Sequence, residues 1–442
     1  MKGLAVPMPS DTQTRQLRSR ALPREYFGTD GVRGIVGEFV TPELLERLGR
    51  ASALWSGRGR VFIGRDTRAS GEELAAAFAR GVASAGGSAV LAGVVPTPAV
   101  ALLRLDLGIV ISASHNPPEY NGVKFFDRNG RKLSDDAEEE IEALLDAPAR
   151  GGGEIDFVDV AVDSYLQHVL ERFGSDLSGL RIAVDCANGA YSTIAPHAFA
   201  ELGAHVETIG NKPDGNNINV GCGATDLAAL QRRVVAGKFD LGIAFDGDGD
   251  RMLAVDGTGE AVDGDQIVAV LALHLGVDQV AVTTMTNLGF HRLMEDRGIR
   301  VITTDVGDRY VLEALYREGA VLGGEQSGHI ICLRDHVTGD GLASALLLCA
   351  ALEGRTLAEA AAVMERYPQV KRNLPRTGRG PLPESLREQV EAVNSELNGD
   401  GRVLVRPSGT EPLVRVLAEA PTTEEAEALC VRIASLVTQE LG

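Results

Sequence analysis

No stretch of this chain approaches the roughly 18 to 20 uninterrupted apolar residues of a membrane span. Its first 24 residues also lack the apolar block of a signal peptide. The expectation is a soluble protein that is not secreted. Cysteine is sparse as well. Five in 442 residues (Cys186, Cys222, Cys332, Cys349, Cys430) are scattered, without a CxxC pair or a partner His at zinc spacing. Neither a disulfide framework nor a zinc site is indicated, and a reducing cytoplasm fits. Positive charge is in deficit, with 43 Lys and Arg against 62 Asp and Glu for a net charge of -19. Such a balance repels nucleic acid and anionic membrane and keeps the protein in solution. An anionic substrate then needs a local pocket of Arg and Lys. Three signatures are missing: GxxxxGK[ST], HExxH, and GxGxxG after a strand. The usual markers of a P-loop nucleotidase, a zinc protease and a dinucleotide enzyme are therefore absent.

What remains is an ordinary globular composition, 44% apolar and 24% charged, long enough for three or four units of about 100 to 150 residues each. The first 23 residues, with Arg15, Arg18 and Arg20 among polar neighbours, read as an extension without a fold of its own. Beyond it, one order of elements occurs three times. The first copy runs from a strand at Val61–Ile63 through a helix at Gly71–Ala85 and Gly86-Gly87 to a strand at Ala89–Ala92. The second has a strand at Ile182–Val184, a helix near Thr193–Leu202, Gly203 and a strand at His205–Ile209. The third has a strand at Val280–Val282, a helix ending at Arg297, Gly298 and a strand at Arg300–Ile302. Strand, helix, capping glycine and strand is the pattern of a parallel βαβ unit.

Each copy continues into a further apolar strand that ends in a polar, glycine-bearing loop: SASHNP, DGDGDR and GGEQSGH. Loops at strand ends of α/β units are common sites of function, and three equivalent ones are expected to converge on one cleft. From about Tyr367 the pattern becomes strand, tight loop PSGTEP, alternating strand and closing helix, a small α+β unit. The predicted fold is thus three related α/β domains with mixed sheets between helices and a smaller C-terminal α+β domain. The expected divisions are 1–23, 24–159, 160–262, 263–367 and 368–442.

Asp246, Asp248 and Asp250 alternate with glycine, so the loop can curl and point three hard oxygen ligands at one centre. Three carboxylates so close repel one another, and a divalent cation relieves that. Taken alone, the segment also suits a solvated acidic turn. It does not suit an EF-hand, because the sixth and twelfth positions from Asp246 are Arg251 and Gly257 where that loop needs Gly and Glu. Magnesium beside a phosphate fits better, with Arg251 neutralising part of the loop or touching a phosphoryl oxygen. Ser114 and His115 set a hydroxyl beside an imidazole at the end of a buried strand, an arrangement found more often in a turn or helix cap than in a nucleophile. Lys124 then returns a cation on a neighbouring strand. Arg406, Ser408, Gly409 and Thr410 have the composition of an anion nest, with Arg415 on the strand leaving it; an ordinary hairpin turn is the alternative. Glu325, Ser327 and His329 alternate and would share a face on an extended backbone, suited to sugar hydroxyls or an amino group, with His329 also a proton carrier. Arg33, in a glycine-punctuated loop, and the run Arg65 to Arg68 are ambiguous between phosphate contact and internal pairing.

In order and spacing, SASHNP, DGDGDR, GEQSGH and RPSGTEP resemble the motifs of the α-D-phosphohexomutases, from about Arg24 to the C-terminus. FGTDGVRG, NGVKFF and GGEQSGHI are most similar to the bacterial phosphoglucosamine mutase branch. The resemblance implies four domains, a phosphorylated Ser114, and Mg2+ held by its phosphate with Asp246, Asp248 and Asp250. It implies sugar contacts from Glu325 and Ser327, and a phosphate grip at Arg406 to Thr410. Arg33, His115 and Lys124 match positions of phosphoryl contact and proton transfer. The implied substrate is a hexosamine phosphate, converted through its bisphosphate in the supply of UDP-N-acetylglucosamine for cell-wall synthesis. The alternatives are mannose or glucose phosphate with the same mechanism, or a non-catalytic phosphosugar-binding protein, against which the intact Ser114, Asp246, Asp248 and Asp250 argue. A homodimer is implied by the resemblance only, and residues 1–23 are the main departure from the pattern.

Overall fold

The computed structural model describes residues 25–28, 30–376, 380–408 and 412–441. The N-terminal extension, Gly409 and Thr410 lie outside the described residues.

The first sheet contains β1 (Val32–Ile35), β2 (Arg60–Arg65), β3 (Ser88–Val94), β4 (Leu107–Ile111), β5 (Tyr120–Phe126) and β6 (Glu154–Phe157), in the order β1-β5-β4-β2-β3-β6. The second contains β7 (Arg181–Asp185), β8 (His205–Ile209), β9 (Leu241–Phe245), β10 (Met252–Asp256) and β11 (Ala261–Val262), in the order β11-β10-β9-β7-β8. The third contains β12 (Gln279–Thr283), β13 (Arg300–Thr304), β14 (Leu322–Gly324) and β15 (Ile330–Cys332), in the order β13-β12-β14-β15. One four-strand core recurs in all three. Its first strand pairs in parallel with the second and the third, and the fourth returns antiparallel to the third. The repeat read from sequence is therefore a repeat of topology. Each of the three polar loops occupies the same place in it, the connection from third to fourth strand.

The strands leading into two of those loops, LGIVI in β4 and LGIAF in β9, are buried along their whole length, as expected for strands covered on both faces. Helix Gly341–Leu352 is apolar all round and buried almost throughout, packing against helices Ala161–Phe173 and Gly264–Leu275 and against β10. A helix without a polar face belongs inside a protein, and this one forms the joint between the second and third units.

The fourth unit is a three-stranded antiparallel sheet of β16 (Gln369–Pro375), β17 (Arg402–Pro407) and β18 (Leu413–Glu419), in the order β16-β18-β17. It is backed by helices Glu384–Glu396 and Thr423–Leu441. Strands β1, β6 and β16 and helix Glu384–Glu396 were not read from the sequence. Among the described residues no helix is long and apolar enough to cross a membrane, and all five cysteines are free and buried.

Candidate active site

The first loop folds back from β4 into β5 and holds Ser114 at a φ of 51°, in the left-handed region that side chains other than glycine rarely adopt. The conformation is fixed from several sides. The guanidinium of Arg68 is buried and ion-paired with Asp66 at 2.9 Å. It donates to the carbonyls of Ser114 at 3.0 Å, Asn116 at 2.8 Å, Tyr120 at 3.0 Å and Pro117. Asp66 accepts from Ser112 Oγ at 2.6 Å, which in turn accepts from the Ser114 amide at 2.9 Å. From the second unit, Asn219 Nδ2 reaches the same Ser114 and Asn116 carbonyls at 2.9 and 3.1 Å. The ambiguity of the Arg65 to Arg68 run is thereby resolved for Arg68: it is a buried ion pair that shapes the serine loop.

The aspartate loop packs directly on that serine. A Cβ at Gly247 would lie 2.7 Å from the Ser114 carbonyl oxygen, so only glycine permits the approach. Ser114 Oγ donates to Asp246 Oδ2 at 2.6 Å, while Asp246 Oδ1 accepts from the amides of Gly249 and Arg251 at 3.0 and 3.2 Å. Lys124, on β5 as the sequence implied, sets its ammonium 2.6 Å from Asp248 Oδ2 and 2.7 Å from Asp250 Oδ2. The Thr97 hydroxyl also donates to Asp248, and the Thr97 amide binds the Asp248 carbonyl at 2.8 Å.

One oxygen from each of Asp246, Asp248 and Asp250 falls within 4.8 Å of the others. Asp248 Oδ1 and Asp250 Oδ1 are buried without a hydrogen-bond partner among the described residues. Buried hard oxygens with unmet acceptor capacity suit a small divalent cation such as magnesium. Burial, then the charges of Asp250 and Asp248, push the Asp246 carboxyl up to about 8. Burial works against charge on Lys124, but Asp248, Asp250 and Asp30 outweigh it and raise its pKa.

A chain of alternating charges continues across three units. Arg33 pairs with Asp30, which lies 3.7 Å from Lys124 and 2.5 Å from Lys132. Lys132 pairs with Asp308 of the third unit. His329 is flanked by Asp250 Oδ1, 3.7 Å from its Nδ1, and Asp308 Oδ2, 3.5 Å from its Nε2. Burial alone would lower the His329 pKa, and the two carboxylates reverse that and raise it. His115 responds oppositely: its Nδ1 is 3.3 Å from Ser114 Oγ, and burial, then Arg251 and Arg33, push its pKa down to about 4. Arg251 lies 3.8 Å from Asp250, and burial is outweighed by Asp250 and Asp246, which raise its pKa.

The third loop corrects one expectation. Residues 325–329 form a turn closed by the Gly328 amide on the Glu325 carbonyl at 2.9 Å and the Glu325 amide on the His329 carbonyl at 3.0 Å, with Gly328 at a φ of 90°. The alternation argument requires extended backbone, so it does not apply. Glu325 and His329 are buried and Ser327 is exposed. Glu325 accepts from the Gly307 amide at 3.1 Å, and burial and Asp308 raise its pKa.

In the fourth unit, Arg406 and Arg415 stand opposite one another on β17 and β18. Like charges in that register repel. Burial, then Arg415, lowers the Arg406 pKa, while Asp305 and Glu325 act in the other direction. Ser408 holds the strand end through its amide on the Leu413 carbonyl at 2.9 Å. The structure thus gathers Ser114, His115, Lys124, Arg33, the three aspartates, Arg251 and His329 into one centre. Glu325 borders it, and Arg406 and Arg415 form a separate cationic pair. Asp30, Thr97, Lys132, Asn219 and Asp308 were missed. Only Asp30 carried a signal, its place in the GTDGVRG loop with Arg33.

Family models match all four units. They are described as phosphoglucomutase/phosphomannomutase alpha/beta/alpha domain I over residues 24–150, domain II over 163–259, domain III over 263–367, and the C-terminal domain over 351–436. A phosphoglucosamine mutase of Moorella thermoacetica is 48% identical, over 91% of this chain and 97% of its own length. One from Bacillus subtilis is 45% identical, over 95% and 99%. A putative phosphomannomutase structure from Thermus thermophilus superposes with a TM-score of 0.78 at 27% identity, covering 93% of this chain and 98% of that one. The fold is also that of an Aspergillus fumigatus N-acetylphosphoglucosamine mutase, at a TM-score of 0.69 and 20% identity over 99% and 100% of the two chains. With every unit matched in order and close relatives aligned over most of its length, the chain belongs to the phosphoglucomutase/phosphomannomutase family and is an isomerase of the mutase type.

Proposed function

We propose that this chain interconverts glucosamine 6-phosphate and glucosamine 1-phosphate through a phosphorylated Ser114. The observation that carries the reading is the Ser114 hydroxyl, buried and 2.6 Å from Asp246 within a cluster of carboxylates and cations. The naming of the Moorella and Bacillus relatives supports a hexosamine as the sugar.

In the forward half-reaction the sugar O1 attacks the phosphorus on Ser114. The bond from phosphorus to Ser114 Oγ breaks, and the O1 proton leaves to a base. The bisphosphate then turns in the cleft, Ser114 Oγ attacks the 6-phosphorus, the bond from that phosphorus to O6 breaks and O6 takes up a proton, leaving the sugar 1-phosphate. Phosphoryl transfer depends mainly on alignment and charge neutralisation. Asp246, Asp248 and Asp250 with the phosphoserine would hold Mg2+, which supplies charge neutralisation for the transferring oxygens. Lys124, Arg33 and Arg251 add fixed positive charge around the same point, and His115 lies against the serine oxygen. Arg406, Ser408, Gly409, Thr410 and Arg415 grip the phosphate that is not reacting. Glu325 and Ser327 contact the sugar.

Of the proposed units, 24–159, 160–262, 263–367 and 368–442, the last closes on ligand binding. Identical scattering profiles with and without sugar phosphate would contradict that motion. Light scattering tests the homodimer, and a cytoplasmic site of action accords with the free buried thiols. Substrate choice is tested by steady-state comparison of glucosamine, glucose and mannose phosphates with magnesium. Glucosamine phosphate is expected to have the highest kcat/KM, and a large preference for mannose phosphate would overturn the assignment.

A further inference from the structure

Behind the aspartate loop lies a buried polar cluster that the proposed mechanism does not use. Asp340 is 1% exposed. Its carboxylate accepts from Tyr191 Oη at 2.9 Å, from Tyr165 Oη at 2.8 Å and from the Ala343 amide at 3.0 Å. His336 Nε2 lies 3.1 Å away, and His168 stacks on His336 with ring centroids 5.4 Å apart. Burial disfavours charge on Asp340, but His336, the Ala343 amide and Tyr165 outweigh it and lower its pKa. Asp340 is thus an ionised N-cap on the apolar helix Gly341–Leu352.

Two of the groups organised by Asp340 converge on Gly249, the residue between Asp248 and Asp250. The next amide along the chain, Gly341 N, donates to the Gly249 carbonyl at 3.0 Å. A Cβ at Gly341 would meet the Arg251 carbonyl oxygen at 2.7 Å, so this close contact is available only to glycine. The Tyr191 ring covers the other side: a Cβ on Gly249 would lie 2.4 Å from it. That ring also packs on Phe245, immediately before Asp246, at 4.8 Å between centroids.

We propose that Asp340 is a positioning residue for the metal centre, fixing the Asp248-Gly249-Asp250 turn from the third unit through the Gly341 amide and the Tyr191 ring. It touches neither the substrate nor the cation. Its effect is to hold the turn in which three carboxylates face one point, in concert with the Thr97 amide on the Asp248 carbonyl. The inference rests on the proposed reading that Asp246, Asp248 and Asp250 bind a divalent ion.

The test is Mn2+ binding to the full-length protein, followed by electron paramagnetic resonance, with the magnesium dependence of activity and thermal melting measured in parallel. Asp340→Asn keeps the size and an acceptor but removes the charge. It is expected to weaken Mn2+ binding by about tenfold or more, the usual scale for a group that orients metal ligands. The magnesium requirement should rise in step, with KM for glucosamine 6-phosphate nearly unchanged. Tyr165→Phe, which removes one bond to the carboxylate, is expected to weaken Mn2+ binding roughly threefold. A folded Asp340→Asn protein that melts earlier but binds Mn2+ like the wild type would overturn the proposal. If the Asn variant does not fold, wild-type Mn2+ affinity in Tyr165→Phe overturns it instead. Asp248→Asn separates the two levels: if it leaves Mn2+ binding intact, the metal reading itself falls.

Discussion

In the proposed reading the serine–aspartate centre and the arginine pair of the fourth unit both bind phosphate, but they are built differently. Ser114 and the three aspartates are at most 3% exposed, and their backbone is held by Arg68, Asn219, Thr97 and Gly341, contributed by the first, second and third units. The arginines Arg406 and Arg415 are half-buried on adjacent strands of a small sheet. One end is organised in advance, as a centre must be when its role is to stabilise developing charge without reorganising. The other is a pair of arginines in register on neighbouring strands, which the proposed reading assigns to the non-reacting phosphate. That difference suits a reaction in which chemistry occurs at one fixed place while either phosphate of the sugar must be accepted at the other.

The comparison can be broken most severely at Ser114. Ser114→Ala is expected to lose at least about 10^4-fold in kcat, since a nucleophile acting within a unit carries most of that unit's effect; a coupled assay for glucosamine 1-phosphate checks it. Next is Asp248→Asn, expected to lower kcat by about 10^2- to 10^3-fold, with chelation of the wild type abolishing activity and magnesium restoring it.

A smaller effect, and of another kind, is expected at the phosphate grip. Arg406→Ala should raise KM about 10- to 100-fold, the worth of one or two hydrogen bonds to a charged group. Arg406→Lys should recover only part of this, because it keeps the charge and loses the fork. If Arg406→Ala lowered kcat as much as Asp248→Asn does and left KM alone, the distinction between a fixed chemical end and an adaptable binding end would fail.

The smallest effect sharpens the comparison by showing what a buried carboxylate does away from both ends. Asp265, at the start of helix Gly264–Leu275, is pushed up to about 8 by burial and then by Asp263. Its folded pKa lies above its unfolded value, so the stability this group contributes is fully present below about pH 4 and is lost as pH rises toward 8. Asp265→Asn, which keeps an acceptor for the Asn287 amide at 2.8 Å, should remove that part of the pH dependence. Its melting temperature near pH 8 is expected to rise by roughly 2 °C relative to the wild type.

Much of this was legible in the sequence because the chemistry sits in short contiguous loops. DGDGDR places three carboxylates and the glycines that let them converge within six residues, and SASHNP places the serine beside the imidazole in one loop. The topological repeat was legible because apolar strands and capping glycines recur with it. The supporting shell was not. Arg68 acts 46 residues from Ser114, Thr97 acts 151 residues from Asp248, and Lys132 acts 176 residues from Asp308. Nothing local marks such partners, since their roles arise only when separate units meet. The error at Glu325 to His329 has a related cause: alternation was assumed to mean extended backbone, whereas Gly328 turns the chain and buries His329 between Asp250 and Asp308.

The central claim, that Ser114 carries the phosphoryl group which passes to a hexosamine phosphate, is tested most directly by single turnover. Protein phosphorylated on Ser114 is mixed with glucosamine 6-phosphate and magnesium, then followed by intact mass while the sugar is followed by phosphorus magnetic resonance. The predicted result is loss of one phosphate-sized increment from the protein in step with the appearance of glucosamine 1,6-bisphosphate. A phosphoserine that persists unchanged, or one that is lost as inorganic phosphate with no bisphosphate formed, would contradict the account.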